Sequence, residues 1–336
     1  MTRTTSSLTL LVALVCPACV GGSSVERVHD PSRPVQEGQD WVVYSSGSEG
    51  AALKRTLVDL EGGRTREGGE LEADSLAPDW WASVQTENPT GEFDAPAVSP
   101  DGQLLAFTVF DEGDFGIRDV IGVAHRDGAD WEPGGVVVRS EGESAGTPRA
   151  MDPAFIMDGD ALWLVFGSHA GGIYLTELDS SSGQLLDDPD LPETQERTER
   201  FRAIADDPED GIEAATLHAR GGAFYLFVNK GACCRGLDST YRVEVGRAQT
   251  IEGPYLDRDG LSLLDSGGTT FLEDEGDLVG PGHVGFMDLG EGEEVVTFHF
   301  YDATAKGRAD LGAREVTWDD EGWPTAGEVL LPRLTP

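Results

Sequence analysis

Five short apolar segments recur along the chain, and each follows a turn that contains glycine. Two of them are Leu104 to Val109 and Ala161 to Phe166, and both include aromatic residues. The other three are Trp41 to Tyr44, Ala223 to Val228 and Val295 to Phe300. Short apolar runs bounded by turn residues are typical of buried strands. The pattern therefore predicts a chain built mainly from short strands.

The amino-acid composition agrees with an all-β fold. The 336 residues include 44 glycines and 18 prolines, which indicates many turns and few long helices. Hydrophobic residues make up 39% of the chain, enough for a substantial core, so a disordered protein is excluded.

A polar residue near a proline or glycine precedes each apolar segment. These residues are Asp30, Asp94, Asp152, Glu213 and His283, and they stand 8, 8, 7, 8 and 7 positions before the turn glycine. The segments recur about every 60–70 residues, a length that accommodates four short strands and their turns. We therefore predict a five-bladed β-propeller rather than five unrelated hairpins in a β-sandwich. If each polar residue opens an innermost strand, all five meet at one end of the channel.

Such a meeting of carboxyl groups suits glycoside hydrolysis. One carboxylic acid protonates the leaving oxygen, and an ionised carboxylate activates water or attacks directly. Asp30, Asp152 and Glu213 are the candidates. A third carboxylate nearby raises the pKa of the acid by like-charge repulsion. His283 allows three roles: a metal ligand, a residue that orients a carboxylate, or a hydrogen-bonded core histidine.

At these residues the sequence resembles glycoside hydrolase family 43, and among its members the endo-α-1,5-L-arabinanases. The most specific stretch contains Cys233-Cys234-Arg235-Gly236 followed by Ser239-Thr240-Tyr241, then Val245-Gly246-Arg247 and Gly253-Pro254-Tyr255. Further matches are His29-Asp30-Pro31-Ser32, Met151-Asp152-Pro153 and Gly280-Pro281-Gly282-His283. The resemblance covers about residues 27–333 and implies a five-bladed propeller with an inverting mechanism.

The resemblance also implies a role for each candidate. Asp30 would be the general base, Glu213 the general acid, and Asp152 the residue that raises the pKa of the acid and orients it. His283 would bind a central metal, usually Ca²⁺, that is surrounded mostly by water. The substrate implied is arabinan, the α-1,5-linked side chain of plant pectin.

Two departures from the arabinanase pattern bear on sugar preference. The second repeat reads Asp94-Ala95-Pro96-Ala97 where arabinanases usually have W-A-P-D, and His169-Ala170 stands where an aromatic residue is often found. We expect the sugar to contact four polar residues instead: Asp94, Ser168, His169 and His299. An exo-acting arabinofuranosidase, a β-xylosidase and a non-catalytic glycan-binding propeller are the alternatives to an endo-arabinanase.

Residues 1–24 are predicted to be an export signal, and residues 25–336 a single catalytic propeller. Arg3 precedes a short apolar run, Leu8 to Val15, which is too short to span a bilayer. The run ends near Cys19 and resembles a bacterial lipoprotein signal, although Cys16 stands where leucine is usual. Cys19 would then be the lipidated first residue of a cell-surface or outer-membrane protein. Ordinary secretion and a cytosolic start are the alternatives.

Charge limits the partners that the protein can bind. With 62 acidic and 24 basic residues the net charge is −38, which disfavours nucleic acids and anionic lipid surfaces. We expect a monomer, which is the default for a closed propeller. Cys233 and Cys234 are adjacent, and the sequence leaves open whether they form a strained disulfide or remain thiols.

Overall fold

The computed structural model describes residues 28–48, 51–76, 92–110, 112–113, 116–117, 119–140, 148–169, 171–186 and 200–331. The predicted export segment at 1–24, including Cys19, lies outside these residues. Among the helices in the described ranges, none is long and apolar enough to cross a membrane.

The described strands form five four-stranded antiparallel sheets, which we call blades 1 to 5. Blade 1 contains β1 (Val35–Glu37), β2 (Asp40–Ser48), β3 (Ala51–Asp59) and β4 (Arg64–Leu71), and the helix α1 (Ala73–Leu76) follows it. Blade 2 contains β5 (Glu92–Val98), β6 (Leu104–Phe110), β9 (Val120–Asp127) and β10 (Asp130–Arg139), with a small hairpin of β7 (Glu112–Gly113) and β8 (Gly116–Ile117) inserted between β6 and β9.

The remaining three blades are simple meanders. Blade 3 contains β11 (Ala154–Asp158), β12 (Ala161–Phe166), β13 (Ile173–Leu178) and β14 (Arg202–Ala205). Blade 4 contains β15 (Ile212–Arg220), β16 (Ala223–Lys230), β17 (Arg242–Ala248) and β18 (Thr269–Leu272). Blade 5 contains β19 (Leu278–Gly290), β20 (Glu293–Asp302), β21 (Arg308–Trp318) and β22 (Pro324–Leu331).

The innermost segments of all five blades surround one central channel. A cavity of about 170 Å³ in this channel is lined by residues from every blade, among them Ser32, Ala97, Phe155, Leu217 and Val284. The prediction of an all-β, five-bladed β-propeller is therefore confirmed.

The apolar runs are continuous because each blade is covered on both faces. Successive side chains of a strand point to opposite faces of the sheet. In β6, Leu105 and Phe107 pack with Tyr44 of blade 1, whereas Leu104 and Ala106 pack toward blade 3. A strand between two neighbours thus needs apolar side chains at every position, unlike a strand with one face in water.

The hydrophobic core is divided into five layers, and each layer joins two neighbouring blades. The fifth layer joins the last blade to the first and includes Val28, Val43, Met287 and Leu331. Burial of one large apolar side chain contributes about 1.5–3 kcal/mol. Most of the stabilisation therefore comes from contacts between blades, which hold the site residues of different blades in register.

One residue at the start of each innermost segment has a left-handed backbone conformation. The five residues are Asp30, Ala95, Asp152, Ala214 and His283, with φ between 46° and 56°. Non-glycine residues rarely adopt this conformation, and they persist there only where the surrounding structure enforces it. Its recurrence once per blade marks the same structural position five times.

The left-handed residues show that the predicted repeat was misplaced in blades 2 and 4. Asp94 and Glu213 were expected to occupy it, but the structure places Ala95 and Ala214 there. Asp94 and Glu213 each lie one residue earlier. With the corrected positions, the offsets to Gly38, Gly102, Gly159, Gly221 and Gly290 become 8, 7, 7, 7 and 7. Asp30 and Glu213 therefore do not occupy equivalent positions in their blades.

A ring of hydrogen bonds explains why the left-handed residues are tolerated. Each of their backbone N–H groups donates to a side chain of the preceding blade, and blade 5 precedes blade 1. The five bonds are Asp30 N–H to His299 Nδ1 (3.2 Å), Ala95 N–H to Ser46 Oγ (3.1 Å), Asp152 N–H to Thr108 Oγ1 (3.1 Å), Ala214 N–H to Asp152 Oδ2 (3.0 Å) and His283 N–H to Asn229 Oδ1 (2.9 Å). Side chains thus connect the five blades around the channel.

Substitution of Asn229 by leucine should destabilise the propeller. The buried Asn229 amide accepts from His283 N–H and donates to the carbonyl groups of Arg242 and Pro281 at 3.1 and 3.2 Å. Leaving several buried groups without a partner costs about 1–3 kcal/mol each. We expect the free energy of unfolding in urea to fall by about 2–5 kcal/mol. The exposed variant Thr317→Val should change it by less than about 0.5 kcal/mol, and equal effects would contradict the role of the ring.

Candidate active site

Asp30 lies at the centre of a network of polar side chains. Its Oδ2 accepts hydrogen bonds from Ser46 Oγ at 2.7 Å and from His29 Nδ1 at 2.8 Å. Its Oδ1 lies 3.4 Å from His283 Nδ1 and 3.7 Å from His299 Nδ1. Side chains of blades 1 and 5 therefore converge on one carboxylate.

These contacts keep Asp30 ionised. Burial works against the charged form, but the positive charge and hydrogen bond of His29 and the proximity of His283 hold the pKa of Asp30 well below its usual range. Burial also opposes the charge of His29, yet the negative charge of Asp30 raises the pKa of His29 well above its usual value. Asp30 and His29 thus form a partly buried ion pair.

The nearby His299 has the opposite protonation state. Its burial, together with the positive charge of His29, holds the pKa of His299 well below its usual value. Its ring stacks on His29 with centroids 4.1 Å apart, and its Nδ1 accepts the Asp30 N–H. His299 is therefore neutral and carries its proton on Nε2.

Glu213 and Asp152 provide the other two carboxyl groups of the site. Glu213 Oε2 accepts a hydrogen bond from Ser168 Oγ at 3.0 Å. Asp152 Oδ2 accepts the N–H of Ala214, the residue that follows Glu213, at 3.0 Å. Blade 3 thus supplies two residues that fix Glu213 of blade 4.

Burial has a strong effect on the pKa of Asp152. Its burial raises the pKa of Asp152 to about 7, and the negative charges of Glu213 and Asp30 add to the effect, while His283 opposes it. Burial and the charge of Glu213 also raise the pKa of Tyr241 well above its usual value. The site therefore combines one ionised carboxylate, Asp30, with a carboxyl group, Asp152, that retains its proton up to about pH 7.

His283 lies at the channel in a tightly packed segment. A Cβ atom on the preceding Gly282 would lie 2.2 Å from the Tyr241 ring and 2.5 Å from Asn229 Nδ2, so only glycine fits there. Although burial opposes it, contact with Asp30 raises the pKa of His283 above its usual value. Glycine at position 282 therefore allows the backbone next to His283 to approach Tyr241 and Asn229 closely.

The structure brings together a group of metal-ligating side chains that the sequence did not indicate. Within the described part of the chain, ligand atoms of His29, Asp30 and His299 all lie within 4.8 Å of one another. His283 is not part of this group, but it contacts the group through Asp30. His283, the predicted metal ligand, therefore lies next to this group and contacts its carboxylate.

The four predicted substrate-binding residues occupy different positions. Ser168 and His299 contact Glu213 and Asp30 directly. His169 is exposed and bridges to Ile212, next to Glu213, and it fits there because Gly211 has no side chain. Asp94 lies half-buried on β5 opposite Thr108, whose hydroxyl group accepts the Asp152 N–H.

Sequence reasoning missed several residues of the network. His29 stands within a motif that the sequence singled out, and Tyr301 directly follows the apolar segment Val295 to Phe300, but neither was assigned a role. His29 Nε2 lies 3.0 Å from Tyr301 Oη, which accepts the Cys234 N–H at 2.7 Å. Ser46 gave no signal, because it belongs to an ordinary strand and meets Asp30 only through the fold.

The two adjacent cysteines lie beside this network and form no disulfide. Cys234 Sγ is 3.9 Å from His29 Nε2. The hydrogen bond with Cys233 and the contact with His29 lower the pKa of Cys234 to about 5, although burial opposes the shift. The sequence left open whether the two cysteines form a disulfide, and in the described structure they are two thiols.

Comparisons with known proteins agree with this architecture. The sequence profile of the glycosyl hydrolases family 43 matches residues 78–324. An extracellular endo-α-(1→5)-L-arabinanase of Bacillus subtilis is 31% identical, over 92% of this chain and 90% of the relative. An extracellular exo-α-(1→5)-L-arabinofuranosidase of Cellvibrio japonicus is 28% identical, over 95% of this chain and 92% of the relative.

A solved structure gives the same result. The family 43 endo-arabinanase from Bacillus licheniformis superposes with a TM-score of 0.73 at 29% identity, and the match covers 89% of this chain and 97% of that one. Together, the profile match over most of the sequence and the full-length similarity show that the chain belongs to glycosyl hydrolase family 43.

Proposed function

We propose that this protein is an inverting endo-arabinanase that cleaves α-1,5-L-arabinofuranosidic bonds of arabinan. The observation that carries the proposal is an ionised Asp30 in the same site as Asp152, which retains its proton up to about pH 7 and holds the residue that follows Glu213. Glycoside hydrolysis requires one carboxyl group in each of these states. The activities for which the relatives are named supply the substrate class.

Each carboxyl group has a defined task in this reaction. Asp30 accepts a proton from a water molecule as the water oxygen bonds to the anomeric carbon. Glu213 donates its proton to the glycosidic oxygen as the bond to the leaving sugar breaks. Asp152 accepts the Ala214 N–H, which orients Glu213, and once Asp152 is ionised its negative charge favours the protonated form of the acid.

The residues around the carboxyl groups provide contacts for the sugar. His299 is fully buried and its Nδ1 accepts the Asp30 N–H, so it positions the proposed base. Ser168 orients Glu213, and the exposed His169 stands beside it. Asp94 and His169 replace aromatic contacts with polar ones, and this favours hydrogen bonding over ring stacking in those subsites.

An exo-acting arabinofuranosidase of the same family is the second candidate. The full-length similarity to an enzyme named as exo-acting favours it. The endo-acting reading is preferred because several relatives with that name match the chain, one at 31% identity over 92% of its length. Product sizes during digestion of debranched arabinan separate the two actions, because endo cleavage releases oligosaccharides early and exo cleavage releases only the terminal product.

We also propose that a Ca²⁺ ion binds at His283 and supports the ionised state of Asp30. The residues fit such an ion: His283 is buried, and its Nδ1 has no hydrogen-bond partner within the described ranges and lies 3.4 Å from Asp30 Oδ1. Ca²⁺ prefers oxygen ligands, so water would complete its coordination. Bound there, the ion supplies positive charge that favours the carboxylate form of Asp30.

Export to the cell exterior is part of the same proposal. The predicted signal in residues 1–24 and the relatives described as extracellular both support it. Lipid attachment at Cys19 remains a prediction from the sequence. The polymer substrate is too large to enter a cell, which is consistent with an exported enzyme.

Substitution of either principal carboxyl group should abolish hydrolysis. We expect Glu213→Gln and Asp30→Asn to lower kcat by about 10²–10⁴-fold, because each removes one proton-transfer partner. Release of reducing ends from debranched arabinan measures the effect, and thermal unfolding checks that the fold is retained. The exposed Glu209→Gln, four residues from Glu213, is the matched control. Unchanged activity in either principal variant would refute its assigned role.

The pH profile should lose activity above neutral pH through the Asp152–Glu213 pair. Asp152, with a pKa raised to about 7, holds a proton below that pH and loses it above. Above about pH 7 Asp152 is ionised, so the site has lost the proton that the leaving oxygen requires and kcat/KM falls. Asp30 stays ionised far into the acidic range.

The variant Asp152→Asn tests this assignment. It removes the carboxyl group whose pKa lies at about 7, so the basic limb should no longer lie near that pH. The measurement is kcat/KM across the pH range for the variant and the unmodified protein. A basic limb at the same pH in both proteins would show that another group controls it.

Removal of the metal should weaken catalysis in a way that depends on His283. We expect a chelator to lower kcat/KM by about ten-fold or more and added Ca²⁺ to restore it. His283→Ala should have low activity that neither treatment changes. The exposed His169→Ala serves as the control and should keep its response to Ca²⁺. Full activity of the unmodified protein after exhaustive chelation would exclude the proposed role of the ion.

A further inference from the structure

The adjacent thiols of Cys233 and Cys234 stand in a loop that is fixed beside the catalytic carboxylate. Cys234 Sγ lies 3.9 Å from His29 Nε2, and His29 Nδ1 lies 2.8 Å from Asp30 Oδ2. A single imidazole ring therefore separates the sulfur from the proposed base. Nothing in the hydrolysis described above uses this sulfur.

The loop is built to hold the thiols in place. Ala232 and Thr240 exchange two hydrogen bonds across it, at 2.9 and 3.1 Å, and Arg235 N–H donates to Ser239 Oγ at 3.1 Å. Gly231 has φ of 85°, and a Cβ there would lie 2.3 Å from Thr240 O. These constraints fix the position of the sulfur relative to His29.

The Cys234 backbone is attached to the same network as its side chain. Its N–H donates to Tyr301 Oη at 2.7 Å, and this oxygen lies 3.0 Å from His29 Nε2. Cys234 also has a left-handed backbone, with φ of 65°. A group attached to Sγ therefore cannot move aside by a simple shift of the loop, and it must press on His29 or extend into the cleft.

Both cysteine residues are partly exposed to solvent. Cys234 also stands close to a carboxyl group of the site, because only the His29 ring separates its sulfur from Asp30. A reagent that reaches the sulfur must enter this acidic cleft. Local charge therefore favours neutral or cationic molecules over anions.

We propose that Cys234 is a site of reversible thiol–disulfide exchange with small neutral or cationic disulfides, and that its modification inactivates the enzyme. The inactivation rests on the proposed function, whereas the modification itself does not. The attached group would displace His29 from Asp30 and fill space that the sugar needs.

The exchange balances without any further reagent. The Cys234 sulfur attacks one sulfur of the disulfide, the S–S bond breaks, and a mixed disulfide forms on Cys234. The leaving sulfur takes up the proton that the Cys234 thiol has lost, so one small thiol is released. Attack by the neighbouring Cys233 sulfur can then release a second small thiol and join the two cysteines. Either product blocks the Cys234 sulfur, and an added dithiol reverses both.

Cystamine, a cationic disulfide, is the probe for the test, and a dicarboxylate disulfide of similar size is its anionic counterpart. The full chain is treated with each, and peptide mapping by mass spectrometry locates the modification. Hydrolysis of debranched arabinan is measured before treatment, after treatment and after addition of dithiothreitol. We expect cystamine to modify Cys234, to lower activity by ten-fold or more and to act faster than the anionic disulfide. Dithiothreitol should restore the activity.

Two matched variants locate the effect, each compared with its own untreated sample. Cys234→Ser should lose its sensitivity to cystamine, whereas Cys233→Ser should remain sensitive and retain the mixed disulfide. Equal sensitivity of Cys234→Ser and the unmodified protein would overturn the proposal. Modification of Cys234 with full retention of activity would also overturn it, as would failure of cystamine to modify Cys234.

A measurement that needs no substrate separates this proposal from the proposed function. The imidazole nitrogen signals of His29, observed by nuclear magnetic resonance, should shift when Cys234 is modified. Modification with such a shift, in a chain that hydrolyses no arabinan, would support the thiol site and refute the arabinanase. Signals of His29 that stay unchanged after complete modification of Cys234 would refute the coupling proposed here.

Discussion

The hydrogen bond from the Asp30 amide to His299 connects the first blade to the last and places the proposed base at the same time. Four related bonds join the other neighbours, and each holds a residue in a backbone conformation that it would not adopt alone. The closed ring thus depends on side chains that also belong to the catalytic centre. Structural and chemical demands act on the same few residues.

Opposite protonation states arise within one small region of this acidic protein because each carboxyl group has a different local environment. Asp30 has a charged histidine and a serine within hydrogen-bonding distance, so the favourable contacts outweigh burial. Asp152 is buried with fewer compensating donors and stands near two other carboxyl groups, so its neutral form is favoured. The net charge of −38 explains neither state. Specific neighbours a few ångströms away determine both.

The sequence predicted the number of blades, the approximate position of each innermost strand and the three carboxyl groups that the structure brings together. It misplaced the repeat in blades 2 and 4 by one residue, because polarity drew the alignment to Asp94 and Glu213. The structural position belongs to Ala95 and Ala214, whose methyl groups carry no chemical signal. Local sequence also could not show that Asp30 meets His299, since 269 positions separate the two and only closure of the ring joins them.

Each described blade is built from one continuous stretch of the chain. Within the described residues, no strand from one end of the chain pairs with the sheet formed by the other end. The junction between blades 5 and 1 is held by side chains and by the thinnest core layer of the described structure, with 8 buried residues where the other layers have 14 or 15. On heating, this junction is the natural place for the ring to loosen first. The proposed base would lose its partners there while the other blades are still assembled, so the enzyme would stop working before it melts.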